Sequence, residues 1–278
     1  MNGKNRLHQL TSQSGGQMMS YVVETADNKI IVIDGGRKDD ADYLLGYIKN
    51  ITGCDKAHVD TWLLTHAHSD HVDAFMELCA QTEMRSDLTV DRVYYNYPPF
   101  ESAEKYEPGD AHTVKEFDDA FGLLSSRTDM VKFEDGMKFG VGCAFFELLY
   151  VPDHTIQHNY INNTSSVFRM KLGEKTFMFL GDLGVEGGQI MLGRHGSYLK
   201  SDYAQMAHHG QNGVDRPVYE AIAPTGCLWD TPQWLWDNNA GKGYNTHVWK
   251  TIIVKGWMDE LGVKEHYITK DGTNVVEI

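Results

Sequence analysis

The sequence predicts a mixed α/β protein, and three observations carry that expectation. Short apolar, β-rich runs recur along the chain, segments with apolar residues at helical spacing lie between them, and several runs end abruptly in aspartate or histidine. The sharpest case is Thr65-His66-Ala67-His68-Ser69-Asp70-His71, which follows the apolar run Trp62-Leu63-Leu64. Its three histidines and one aspartate can all ligate a transition metal. If they were merely packed, each imidazole would need a buried partner of its own, which makes packing a poor explanation. Imidazole with carboxylate suits zinc and, less selectively, manganese or iron.

Residues 18–24 and 29–33 read as a hairpin around Ala26-Asp27-Asn28. The second strand ends in Asp34-Gly35-Gly36, where the glycines permit a tight exit. Asp34 is either an ordinary turn residue or the group that orients a metal-binding histidine. Tyr43, Leu44, Tyr47 and Ile48 share a helical face within 39–51, and Gly53 is the stop. The strand 59–64 then delivers the histidine loop. Beyond it, Val72, Phe75, Met76 and Cys79 line one helical face, which places Asp70 and His71 at a helix N-terminus that favours an ionised carboxylate. Residues 90–95 form a strand, and the loop 96–100, with Tyr97, Pro98 and Pro99, either roofs a pocket or simply packs. Thr113-Val114-Lys115-Glu116 has the form of a capping box, with Val114, Phe117, Phe121 and Leu124 as the buried face of its helix.

In the second half, 131–151 reads as strands around the turn Glu134-Asp135-Gly136. A hairpin over 166–171 and 175–180 runs straight into Gly181-Asp182, and 203–207 leads into His208-His209-Gly210. A helix over 214–221, a strand over 226–229, a tryptophan-rich stretch over 229–236 and a flexible loop over 238–243 follow. A helix over 245–261, interrupted by Gly256, precedes two strands, 263–269 and 273–278, on either side of Lys270-Asp271-Gly272. Strand ends carrying His or Asp recur at three distant places. Chance could supply one; three point to convergence on one sheet edge and to a metal site.

Bulk composition narrows the function classes. A net charge of −14 repels polyanions, and no Lys/Arg cluster offsets it, so long nucleic acid is disfavoured as a partner. No apolar run approaches the ~20 residues of a membrane helix. No hydrophobic segment follows the N-terminal residues 1–6, so no signal peptide is expected and the cytoplasm is favoured; a secreted or cell-surface location would require a leader already removed. Cys54, Cys79, Cys143 and Cys227 are scattered without a Cys-x-x-Cys pair and read as free, mostly buried thiols. Without a repeat, linker or low-complexity tract, residues 1–278 read as a single domain.

The His-x-His-x-Asp-His motif after an apolar strand resembles the signature of the metallo-β-lactamase superfamily. Ile33-Asp34-Gly35-Gly36, Asn162-Asn163-Thr164-Ser165, Gly181-Asp182 and His208-His209-Gly210 resemble one branch of it. That branch contains the hydrolase domain of competence DNA-uptake channels and the phosphorylcholine esterases. The resemblance spans nearly the whole chain and implies a four-layer αββα sandwich with a metal site at one edge, between two sheets. It implies two divalent ions, zinc first, with manganese or iron as alternatives. His66 and His68 would hold the first, Asp70 and His71 the second, and Asp182 would bridge them. His209, next to the glycine, is the expected last ligand, and His208 would support it or donate to developing negative charge; the reverse assignment is the alternative. Asp70 and His208 are thus the catalytic candidates.

One departure stands out. The superfamily usually places another histidine before the strand that begins here at Ser166, where this chain has Asn162 and Asn163. His154 fills that place only if its loop folds back, and a surface position is favoured. His158, His195 and His247 lack any motif and read as structural. The function implied is a dinuclear hydrolase acting, through a metal-activated hydroxide, on a phosphodiester or related small ester. A β-lactam or lactone hydrolase is the alternative on the same site, and a metal-stabilised binding module without turnover is the alternative of another class. Trp229, Trp234, Trp236, Tyr97 and Tyr244 are either core and surface aromatics or a wall for a cationic head group.

Overall fold

The computed structural model describes residues 3–81 and 85–278. Two seven-stranded sheets dominate it. The first has the order β16-β1-β2-β3-β5-β7-β8, with β1 Arg6–Gln9, β2 Ser20–Glu24, β3 Ile30–Asp34, β5 Thr61–Leu63, β7 Arg92–Tyr95, β8 Asp129–Lys132 and β16 Asn274–Glu277. The second has the order β15-β14-β13-β12-β11-β10-β9, with β9 Lys138–Val141, β10 Ala144–Tyr150, β11 Val167–Leu172, β12 Lys175–Phe179, β13 Tyr203–Gln205, β14 Gly226–Trp229 and β15 Glu265–Ile268. A small parallel pair, β4 Ala57–Val59 with β6 Leu88–Val90, stands apart.

Each sheet is antiparallel in one half and parallel in the other. From β16 to β3 the pairs are antiparallel, and from β3 to β8 parallel. From β9 to β12 they are antiparallel, and from β12 to β15 parallel. Parallel neighbours need crossover segments, and helices supply most of them. Along β2 and β3, Tyr21, Val23, Ile31 and Ile33 point to the opposing sheet, where they meet Phe146, Phe168 and Phe179. Val22 and Val32 point the other way, onto Leu44, Ile48 and Phe75 of the helices Ala41–Thr52 and Ser69–Cys79. Met178, Ala204 and Cys227 of the second sheet pack outward on Met191, Val218 and Met258. Three apolar layers between four structural layers are the expected αββα sandwich.

Several element expectations need correction. The helix placed at Thr113 begins at Ala111 with Asp110 as its N-cap, so Thr113-Val114-Lys115-Glu116 is not a capping box. The Thr113 hydroxyl serves Asp110 O and Ala67 O instead. The late helix runs over Thr251–Glu260 and passes through Gly256 unbroken, while 237–250 is irregular, held by Asn238 Nδ2 on Asn245 Oδ1 and His247 O. The last two strands do not pair with one another: β15 joins β14 in one sheet and β16 joins β1 in the other. All four cysteines are free, but Cys54 and Cys143 are exposed because each sits where the chain reverses. Among the described residues, no helix is long and apolar enough to cross a membrane.

Phe168 is buried between the sheets against Phe133, Phe146 and Phe179. Its replacement, Phe168→Ala, should cost about 3–5 kcal/mol of unfolding free energy in urea denaturation, through lost transfer energy plus a cavity.

Candidate metal centre

The carboxyl ends of the parallel strands meet at one edge of the sandwich, the usual ligand-binding edge of such sheets. β3 ends in Asp34, β5 leads to Thr65 and His66, β12 to Gly181 and Asp182, β13 to His208 and His209, and β14 to Asp230. Gly181 (φ +54°) permits the convergence: a Cβ there would lie 3.0 Å from Ser165 Oγ and 3.1 Å from Thr65 Cβ. Backbone bonds lock the strand ends together, with Ser166 N donating to Thr65 O (2.9 Å) and His208 N to Gly181 O (3.0 Å).

Six expected metal ligands fall into two groups. His66, His68 and Asp182 form one, and Asp70, His71 and His209 the other, with the ligand atoms of each group within 4.8 Å of one another. His66 Nε2 and His68 Nδ1 are 3.1 Å apart, and His209 Nε2 is 3.2 Å from Asp70 Oδ2. Asp182, a member of the first group, lies 4.0 Å from His66 Nε2 through Oδ2 and reaches the second group at 3.3 Å, from Oδ1 to His71 Nε2 and from Oδ2 to His209 Nε2. Donors on one tetrahedral zinc ion stand about 3.4 Å apart at ordinary bond lengths. These spacings fit.

The outer ring nitrogens are anchored too. Asp34 Oδ2 takes His71 Nδ1 at 2.7 Å, Thr65 Oγ1 meets His66 Nδ1 at 3.1 Å, and the Asp230 carbonyl takes His209 Nδ1 at 3.0 Å. The partner on the outer nitrogen fixes the tautomer and turns Nε2 inward. His71 Nε2, His209 Nε2 and Asp182 Oδ1 are then buried without a hydrogen-bond partner. Orphaned polar atoms that face one another are costly unless a cation satisfies them. The residues present therefore fit a divalent metal pair.

Burial and the neighbouring charges act on most of these groups in opposite directions. Burial pulls His71 down, but Asp182 and Asp34 outweigh it and raise its pKa well above the ordinary value. Burial likewise opposes His209, which Asp182 and Asp70 push up to about 10. Burial pushes the Asp70 and Asp182 carboxyls up, yet the neighbouring histidines hold both well below the usual range. His66 is pushed well below its ordinary value, first by burial and then by His71.

His208 stands at the rim with 19% of its side chain exposed and Nε2 at 3.7 Å from Asp182 Oδ2, whereas His209 is sealed. Three successive residues there are left-handed, His208 (φ 52°), His209 (φ 54°) and Gly210 (φ 77°). Such non-glycine conformations cost of order 1–3 kcal/mol each and cluster at functional sites.

Where a further histidine was expected, Asn163 is committed elsewhere, taking Gly187 N on Oδ1 and donating to His158 O and Glu186. Asn162 Oδ1 is buried and unpartnered. His154 lies exposed on its loop, against Tyr160. His195 caps Leu149 O, His158 pairs with Glu186, and His247 stacks on Trp249. The five aromatics form no common wall. Tyr97 is packed on Phe117, Trp229 is buried against Trp236, Trp234 lies on Trp249, and Tyr244 is exposed.

Four supports escaped the sequence reading. Glu107 places Oε1 3.7 Å from His68 Nε2 while its other oxygen takes Ile161 N. Thr113 holds Ala67 O, between the two first histidines. Asp230 holds His209, and Arg37 lies 3.8 Å from Asp70. None of the four has a local signal for its role: even Asp230, at the end of a buried strand, acts on His209 through its backbone carbonyl, while its carboxylate takes Gln9 Nε2 and Tyr21 Oη.

The chain belongs to the metallo-beta-lactamase superfamily, whose family description it matches over residues 14–225. No curated protein matches it in sequence. Among solved structures it is similar to the metallo-beta-lactamase fold protein YhfI from Bacillus subtilis, at TM-score 0.57 and 12% identity over 99% of this chain and 100% of that one. A diphosphatase of the PhnP family aligns at TM-score 0.51 and 12% identity over 98% of both chains. Zn(2+)-bound PqqB from Methylobacterium extorquens aligns at TM-score 0.58 and 11% identity over 99% of this chain and 100% of that one. At such identities the likeness speaks for the fold.

Two outcomes follow for the centre. Asp34→Asn should weaken zinc binding about 10–100-fold in chelator competition, the usual loss when a ligand's outer partner is removed. His209 is raised in the folded protein above its unfolded value near ~6.5, so its contribution is complete below that pH and fades as pH rises toward about 10. In metal-free protein, the gap in thermal midpoint between wild type and His209→Gln should therefore narrow from pH 6.5 upward.

Proposed function

We propose that this protein is a metal-dependent hydrolase of small phosphodiesters or related esters, working at a dinuclear centre with zinc as the first candidate. The carrying observation is Asp182, which belongs with His66 and His68 and lies 3.3 Å from His71 Nε2 and from His209 Nε2 of the other group, two buried atoms with no hydrogen-bond partner. His66 and His68 would hold one ion, Asp70, His71 and His209 the other, and Asp182 would touch both. When bound, a metal pair lowers the pKa of a water and neutralises charge on the reacting group.

The protein's own residues supply positioning and proton control. Asp34, Thr65 and the Asp230 carbonyl keep the imidazoles in the tautomer that leaves Nε2 free. Asp70 and Asp182 remain ionised, as ligands must. His208, partly exposed with Nε2 3.7 Å from Asp182, would donate from Nε2 to an oxygen that gains negative charge or leaves. Preference for a phosphodiester rests on the order of the motifs, above all His208-His209-Gly210 after Gly181-Asp182, which resembles the competence-channel and phosphorylcholine-esterase branch. The PhnP-family relative is compatible with that preference but, at 12% identity, adds only the fold.

Purified protein should carry two metal equivalents and hydrolyse bis-p-nitrophenyl phosphate. His68→Ala and Asp182→Ala should lower that rate by more than about a hundredfold, beyond the usual loss on removing a ligand's outer partner. Folded variants as active as wild type would refute the assignment. Turnover of β-lactams or lactones alone would shift it to acyl transfer, and one tight metal without turnover would favour a binding module.

A further inference from the structure

Arg37 follows Asp34-Gly35-Gly36 at the exit of β3, and 40% of its side chain is exposed. Its Nε donates to Gln17 O and its Nη1 to Ser69 Oγ, both at 3.1 Å. Nη2 lies 3.8 Å from Asp70 Oδ2, the oxygen that also meets His209 Nε2 at 3.2 Å. One terminal nitrogen of a fixed guanidinium therefore borders the candidate ligand group of Asp70, His71 and His209 without a hydrogen bond of its own among the described residues. The placement is built in. The buried Asp40 carboxylate accepts Arg37 N (3.1 Å), Gln13 N (2.7 Å) and Ser12 Oγ (3.3 Å), which ties the arginine turn to the loop between β1 and β2. Met19 N donates to Asp70 O, so the end of that loop is fastened to the metal-binding helix as well.

We infer that Arg37 is an anion-binding residue, which selects substrates carrying a negatively charged phosphoryl group over neutral esters. This rests on the hydrolase reading and names its substrate class. A neutral ester gains little from a guanidinium beside the centre. A phosphoryl oxygen gains a charge-assisted hydrogen bond from a planar, permanently charged donor whose orientation is already fixed. In a chain of net charge −14, with Asp73 as another charge that Arg37 faces, such a cation also offsets local repulsion of an anion.

The test uses full-length zinc-loaded wild type, Arg37→Gln and Arg37→Lys. The ratio of kcat/KM for bis-p-nitrophenyl phosphate to that for p-nitrophenyl acetate should fall about 10–100-fold in Arg37→Gln, as expected for one charged hydrogen bond, and recover in part in Arg37→Lys. Independently of turnover, inorganic phosphate titrated by calorimetry should bind Arg37→Gln more weakly by a similar factor, at unchanged zinc content. Equal losses on both esters, unchanged phosphate affinity, or loss of zinc from the variant would overturn the assignment and make Arg37 a strap for the loop and Asp70. If wild type hydrolyses neither ester, the hydrolase reading fails, while the phosphate titration still decides the role of Arg37.

Discussion

The centre depends on one buried carboxylate. Asp34 is fully enclosed, in a left-handed backbone conformation (φ 52°), and accepts hydrogen bonds from Thr65 N, Thr65 Oγ1 and His71 Nδ1, each at 2.7 Å. Its carbonyl also takes the Trp62 indole N–H. The donors stabilise a charge in that position, yet burial still leaves its carboxyl raised above the ordinary value, with His71 as the main opposing influence. In return it fixes the turn that launches His66 and orients the ring of His71. The choice between turn residue and histidine anchor resolves as both.

The remaining candidate ligands come from the other sheet, and neither sheet holds both candidate groups complete. The first supplies His66, His68, Asp70 and His71 from one loop and the helix after it; the second supplies Asp182 and His209 from two adjacent parallel strands. Asp182 touches both groups, so the seam between the sheets is also where the charge balance closes. Strain at His208 and His209 is tolerated there because hydrogen bonds from Thr231 Oγ1 to His209 O and from Gln211 N to His208 O hold the backbone on either side.

Much of this was legible in the chain. A buried strand that stops at a polar residue announces itself through period-two apolarity and an abrupt end, and Asp34, His66, Asp182 and His208-His209 all carry that mark. Other features depend on tertiary contacts that leave no local trace. Glu107 comes from a Pro-Gly loop, and Arg37 stands three residues beyond Asp34 like any surface cation. Thr113 looked like a cap because its hydroxyl seeks a backbone partner; that partner is a carbonyl of the histidine loop. The helix Val185–His195 leaves no clear trace in the sequence, because glycines at 187, 188 and 193 suppress helix propensity. Packing explains two of them: a Cβ on Gly187 would sit 2.4 Å from Leu183 Cδ1, and one on Gly188 would sit 2.8 Å from Val214 Cγ1.

The parting of the last two strands has a consequence for assembly. Residues 265–268 finish one sheet, and 274–277 cross over to lie against 6–9 and finish the other. The first sheet, which presents the histidine loop, is thus edged by the beginning and the end of the chain together. His66, His68, Asp70 and His71 follow a sheet whose outer strand comes from far along the sequence, while Asp182 and His209 follow strands of the other sheet. The outer edge of that sheet therefore forms through a pairing of very large sequence separation, the kind whose loop-closure cost must be met before the contact is gained.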